Sequence, residues 1–145
     1  EDVGYATCKE EVENILADFR NRDIPVAVIN EHLQGDFVKF YGVHGTDFFY
    51  WFYPSPCSHS KFGLEKINGI AKGIPFSVEE LKIQSDKAAE ALNVPIYGGD
   101  CVVSADGTLR IIDFNDWPSF ARCREEAGGK IAECIYNRAK KQMKQ

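Results

Sequence analysis

Several features that would decide the class of this chain at once are missing. No apolar run approaches the ~20 residues of a membrane helix; the longest, such as Ile24 to Ile29, have strand length, so no membrane span is expected. The five cysteines, at positions 8, 57, 101, 123 and 134, are odd in number and lack C-x-x-C spacing. Neither a disulfide framework nor a zinc site follows from them, and reduced thiols in a cytoplasmic setting are the expectation. Positive charge is not in excess: 17 Lys+Arg stand against 22 Asp+Glu, for a net charge of -5. A general electrostatic grip on nucleic acid is therefore absent, and any phosphate must be held locally. The opening Glu1-Asp2-Val3-Gly4-Tyr5 has no basic region, no apolar targeting core and no initiator Met, so the chain reads as if cut from something longer. Internal repeats are lacking too.

What is present is ordinary globular material. The 145 residues are 44% hydrophobic, 27% charged and 12% aromatic, enough for a single domain, 1–145, with a real core. Between Lys9 and Arg22, Val12, Ile15, Leu16 and Phe19 share one helical face. Val26 to Leu33 reads as a strand, paired through Gln34-Gly35-Asp36 with Phe37 to Val43. A turn at His44-Gly45-Thr46-Asp47 leads to the aromatic run Phe48 to Tyr53, and together these predict a three-strand meander. Pro54 to Phe76 keeps no period and reads as a long connection of the kind that is often functional. Ser77 with Glu80 is a capping-box pattern, and Leu81, Ser85, Ala88 and Leu92 recur at helical spacing through Asn93. Ile96 to Ala105 and Thr108 to Asn115 flank Asp106-Gly107, a strong hairpin signal. A third helix is expected from about Ala121 to Lys141, with Ala127, Ile131, Cys134 and Ile135 inward. The expected class is α+β: a mainly antiparallel sheet, made of the meander and the Asp-Gly hairpin, packed with about three helices.

The hairpin carries chemistry. If Asp106-Gly107 is a two-residue turn, Ala105 faces Thr108, and counting back pairs Ser104 with Leu109, Val102 with Ile111 and Asp100 with Asp113. Two carboxylates then oppose each other, where like charges repel and a cation is wanted. Asn115, two residues beyond Asp113, points to the same face and adds a neutral oxygen. Such a set suits a hard divalent cation, Mg²⁺ before Ca²⁺ or Mn²⁺, that also takes water and phosphate oxygens. The residues alone also admit exposed strand-end acids and turn chemistry at Asn115-Asp116, and the count depends on an undisturbed register.

The stretch Tyr97-Gly98-Gly99-Asp100, then Asp106-Gly107, then Ile111-Ile112-Asp113-Phe114-Asn115-Asp116-Trp117-Pro118-Ser119-Phe120 resembles the C-terminal metal-binding segment of the ATP-grasp superfamily. There an acid on one strand, and an acid and an asparagine at i, i+2 on the next, hold the Mg²⁺ ions that bridge ATP phosphates, which the resemblance assigns to Asp100, Asp113 and Asn115. Upstream, Val26-Ala27-Val28-Ile29-Asn30-Glu31-His32-Leu33-Gln34-Gly35-Asp36 resembles the ATP-grasp hinge. The resemblance implies that Asn30, Glu31 and Leu33 meet adenine and that Asp36 is a candidate for the ribose, although the residues alone also read as a plain hairpin with a polar corner. Lys39 takes the place of the basic residue that many members carry on the strand after the hinge, aimed at phosphate or substrate. Asp36 and Lys39 are three apart, so both can serve one pocket only if a bulge or the turn intervenes.

The resemblance covers nearly the whole chain but only the back half of an ATP-grasp fold. It implies a C-terminal fragment whose partners are the N-terminal lobes of the parent chain, ATP and a small-molecule carboxylate. The implied parent is an ATP-dependent carboxylate-amine ligase acting through an acylphosphate, with the fragment alone inactive. A small-molecule kinase on the same fold, or a non-catalytic nucleotide-binding module, are the alternatives. Arg122 and Arg124 are candidates to contact a carboxylate or phosphate, with Arg122 the stronger, against the plainer reading of helix pairs with Glu125 and Glu126. Cys57, Cys101, His44 and His59 have no identifiable catalytic partner in the sequence.

Overall fold

The computed structural model describes residues 2–54 and 67–144. Its contacts divide the chain into two compact units, residues 1–32 and 33–145.

The first unit is built on helix α1, Lys9–Asn21. Glu10 and Glu11 occupy its first turn and Arg20 its last, the arrangement the helix dipole favours. Cys8 at the N-cap gives no side-chain cap; the Glu11 carboxylate instead accepts from Thr7, at 2.6 Å from the amide and 2.9 Å from the hydroxyl. Val12, Ile15, Leu16 and Phe19 are the half-buried positions of the helix, as their spacing predicts. Asp23, at φ 57°, closes its end. The strand expected over Val26 to Leu33 is not formed. Val26, Val28 and Ile29 are 75%, 81% and 67% exposed. Strand preference reflects packing on a neighbouring strand more than an intrinsic backbone preference, and this run has no ladder partner among the described residues.

The second unit is α+β. Strands β1 (Asp36–Val43), β2 (Phe49–Phe52), β3 (Ile96–Val103) and β4 (Leu109–Asp116) form one antiparallel sheet in the order β2-β1-β3-β4, joined by helices α2 (Val78–Leu92) and α3 (Arg124–Gln142). The expected meander thus loses its first strand, and β1 pairs with β3 instead, along its whole length from Asp36↔Val103 to Val43↔Ile96. One face of the sheet carries Val38, Phe40, Tyr97, Cys101, Val103 and Leu109, packed against Leu81 and Ala89 of α2. On the other, Val43 and Ile96 pack with Phe48, Phe120 and Cys123 and with Ala127 and Cys134 of α3.

Ser77 caps α2 as expected, its hydroxyl accepting from the Glu80 amide at 3.1 Å, and Asn93 ends the helix in the left-handed region at φ 55°. The inward stripe is Leu81, Ser85 and Ala89. Ala88 is only half-buried, at the edge of this stripe, and Leu92, the last residue of the helix, is 58% exposed. On α3, Ala127 and Cys134 are buried as expected, but Ile135 is 49% exposed.

Candidate functional site

Two features of the β3–β4 hairpin set the register, and neither is the expected one. Ser104 N–H donates to Thr108 O at 2.9 Å and Gly107 N–H to Ser104 O at 2.8 Å. The loop is therefore three residues, 105–107, with Gly107 at φ 82° in the position that glycine favours. This shifts the pairing by one from the two-residue count: Val103 faces Leu109, Val102 faces Arg110 and Cys101 faces Ile111. A β-bulge then leaves Ile112 without an opposite number, and the next pair is Asp100↔Asp113. The extra loop residue and the extra strand residue cancel. The two carboxylates stand opposite each other, and the pairing of Gly98 with Asn115 sets the amide beside them.

The row continues across the sheet. Lys39 is paired with Asp100 on one side and Phe52 on the other, so Phe52, Lys39, Asp100 and Asp113 share one face. The Lys39 ammonium donates to both oxygens of Asp100, at 2.8 and 3.1 Å, and lies 5.1 Å from the centre of the Phe37 ring. The pair is partly shielded: the Lys39 and Asp100 side chains are 32% and 16% exposed. Asp113 and Asn115 are exposed, and the Asn115 amide donates to Asp113 at 2.5 Å. Arg122, delivered by the loop after β4, lays its guanidinium 4.2 Å from the Phe52 ring centre, which brings a second cation to the Lys39 end of the row. Phe52 as the platform for Arg122 was not legible in the sequence, where the aromatic run reads only as packing.

Close backbone approach holds this geometry. A side chain at Gly99 would have its Cβ 2.3 Å from the Asp113 carbonyl oxygen and 2.6 Å from Phe40; at Gly98 it would lie 2.8 Å from both Pro118 and Tyr41. The loop that returns the chain toward α3 holds Trp117 and Phe120 at φ 45° and 49°, a costly region for bulky residues. Trp117 N–H donates to Ile96 O at 2.9 Å.

The other sequence candidates separate from this group. Asp36 is 3% exposed, and its two carboxylate oxygens accept from the Lys72 and Ile74 amides, each at 2.7 Å. Because β1 pairs without interruption, Asp36 and Lys39 face opposite sides of the sheet, and Asp36 is withdrawn from any pocket that includes Lys39. Leu33 is half-buried and its carbonyl accepts from Asn68 at 3.1 Å. Asn30 and Glu31 belong to the first unit and are exposed. Burial pushes the Cys101 thiol up to about 11, and it raises those of Cys123 and Cys134, the opposite of what a nucleophile needs. Cys57, His59 and most of the 54–76 connection lie outside the described residues.

No family model, curated protein or solved structure matches this chain. Function must therefore be argued from the row itself. Among the described residues no group of three or more His, Cys, Asp and Glu side chains could hold a metal, and no helix is long and apolar enough to cross a membrane. Asp100, Asp113 and Asn115 provide two carboxylates and one amide oxygen. That donor set is too small for a closed protein cage, but it fits a cation of the Mg²⁺ type, which is commonly held by one or two carboxylates with the remaining positions taken by water or phosphate. The Lys39 ammonium on Asp100 is itself a cation at this place in the row.

Proposed function

We propose that this chain is the C-terminal portion of an ATP-grasp protein and contributes the metal-binding half of a Mg·ATP site. The observation that carries the reading is the direct pairing of Asp100 with Asp113, with Asn115 beside them. The resemblance in the sequence falls on these three residues, and the register brings them together by a route the sequence count did not foresee. Asp100, Asp113 and Asn115 would hold the ion, which when bound neutralises phosphate charge and orients the transferred group. Lys39 and Arg122 supply cationic groups for phosphate or for a substrate carboxylate. Leu33, Asn30 and Glu31 remain the candidates for adenine.

The parent reaction that fits best is carboxylate-amine ligation. ATP phosphorylates a carboxylate, giving an acylphosphate and ADP, and an amine then displaces phosphate to form the amide. Catalysis of phosphoryl transfer rests on positioning and on electrostatic clamping of the γ-phosphate, so this chain alone should not turn over.

The test uses the parent protein and Mg²⁺-dependent ADP release across a panel of carboxylic acids and amines. Asp113→Ala and Asn115→Ala should each abolish most of the turnover; unchanged turnover removes the site. Product analysis separates the ligase from a small-molecule kinase, since a stable phosphorylated product in place of an amide defeats the ligase reading. Retained nucleotide binding without turnover for any substrate marks a non-catalytic module.

A further inference from the structure

At the far end of the sheet from the loop 105–107, the ends of α2, β4 and α3 and the start of β3 border an open cleft of about 430 Å³, within the size range of small-molecule sites. It lies at the Ile96 end of β3, four residues and roughly 13 Å along the strand from Asp100, and none of its lining residues belongs to the charged row. Part of its wall is apolar: Val94, Pro95, Trp117 and Ile135 contribute to it. Trp117 is 62% exposed while held at φ 45°, and Ile135 is 49% exposed on a helix face that its spacing had assigned inward. A bulky residue kept in a costly backbone region with its ring left accessible is the kind of local strain that collects at ligand sites.

Two opposite charges also line this cleft, Asp116 from the end of β4 and Arg138 from α3. They form no ion pair with each other, and neither has one with any other described residue. Arg138 is nevertheless oriented. Its guanidinium donates at 2.6 Å to the side-chain oxygen of Asn93, the left-handed cap of α2. That neutral partner fixes the group without cancelling its charge and leaves other donors of the fork available. A carboxylate and an oriented guanidinium in one cleft that also offers apolar wall are complementary to a small zwitterion with a hydrocarbon side chain.

We propose that this cleft binds a free α-amino acid with an apolar side chain, its carboxylate on Arg138, its ammonium on Asp116 and its side chain against Trp117 and Ile135. The site is independent of the charged row and of the nucleotide reading.

The test is titration of the ¹⁵N-labelled chain with L-leucine, following the Trp117 indole and Arg138 side-chain resonances. Saturable shifts at millimolar concentration are expected. 3-Methylbutylamine, which lacks the carboxylate, and 4-methylpentanoate, which lacks the ammonium, should each bind about tenfold more weakly, the loss of one charged hydrogen-bonding group. Arg138→Gln should weaken L-leucine by a similar factor and leave the amine unaffected; Asp116→Asn should do the converse with the acid. The proposal is overturned if L-leucine gives no saturable shift, if the three ligands bind alike, or if both variants bind L-leucine as the wild type does. The comparison of ligands on the wild-type chain needs no variant to fold.

Discussion

Replacing Lys39 by Met tests whether the charged row is a cation site held closed by a built-in cation. Lys39 donates to both oxygens of Asp100, and Asp100 directly opposes Asp113. Removing the ammonium costs the pair and leaves two like charges face to face. Exposed pairs contribute about 0–1 kcal/mol, and breaking a buried one costs about 3–5 kcal/mol. With side chains 32% and 16% exposed, this pair falls between those limits. At a separation of about 6 Å the two carboxylates repel by roughly 3 kcal/mol at an effective dielectric of ~20 and by less than ~1 kcal/mol in water. Asp113 is exposed, which favours the lower part of that range. The net destabilisation of Lys39→Met is then about 2 kcal/mol, a fall in melting temperature of about 8 °C for a chain of this size. Scanning calorimetry in EDTA reads it directly. Added Mg²⁺ should restore the variant, because a ligand at ten times its dissociation constant stabilises by about 1.4 kcal/mol, and should help the wild type less, since there Lys39 competes for the same carboxylate. Lys39→Met combined with Asp113→Ala should lose the Mg²⁺ response. A melting temperature for Lys39→Met within about 1 °C of wild type, or a Mg²⁺ response that survives in the double variant, would exclude a cation site at Asp100 and Asp113.

Gly99→Ala places a methyl group 2.3 Å from the Asp113 carbonyl oxygen; overpacking against backbone should cost about 2–3 kcal/mol or more, read by urea denaturation, and a loss well under 1 kcal/mol means the β3–β4 spacing is looser than described. Ser85 is fully buried on α2 and its hydroxyl has no hydrogen-bond partner among the described residues, so Ser85→Ala should be neutral or stabilising by up to about 1 kcal/mol, and a clear loss of stability would point to a partner. Asp36→Ala removes the acceptor of two backbone amides and should destabilise by about 2–4 kcal/mol, with amide exchange at Lys72 and Ile74 accelerated; unaltered exchange there counts against the anchoring role. Stability should also fall at alkaline pH. Burial raises Cys101 from 9.0 to about 11 and raises Tyr97 further, helped by its hydrogen bond to Asp86. Above pH ~9 the unfolded chain therefore releases protons that the folded chain keeps, and Cys101 alone removes on the order of 2 kcal/mol by pH ~11. Cys101→Ala should flatten the part of the denaturation profile that begins near the thiol value; an identical profile assigns the loss elsewhere.

Helices and turns were the legible part of the fold because their signals are local. The Ser77 cap, the Asn93 terminus and the half-buried stripe of α1 follow from residue type and spacing within one or two turns. The failures have non-local causes. Val26 to Leu33 has the composition of a strand, but pairing is a property of the neighbour, and none is formed among the described residues. Ile135 keeps helical spacing with Ala127 and Ile131 yet borders the cleft and stays half-exposed. The stacking of Arg122 on Phe52 joins residues 70 positions apart, beyond any periodicity argument.

The carboxylate pair is the instructive case, since the right contact was expected for an incomplete reason. A slip of one residue in a hairpin sends every later side chain to the wrong face, and the three-residue loop makes that slip. Without compensation Asp100 would face Ile112, and Asp113 would point away from it. The bulge at Ile112 restores the register just before Asp100, while the residues between loop and bulge keep the shifted pairing that packs Val103 and Leu109 into the core. The bulge thus lets one strand satisfy two registers, the core's near the loop and the charged row's beyond it. Inserting one alanine between Ile112 and Asp113 should therefore separate the two demands: the core pairs near the loop remain, and Asp113 moves one step along β3 to face Gly99 instead of Asp100. If the row binds a divalent cation, this insertion should abolish Mg²⁺-dependent stabilisation even where the chain still melts cooperatively. Retained Mg²⁺ stabilisation in the insertion variant would show that the ion is held by other groups.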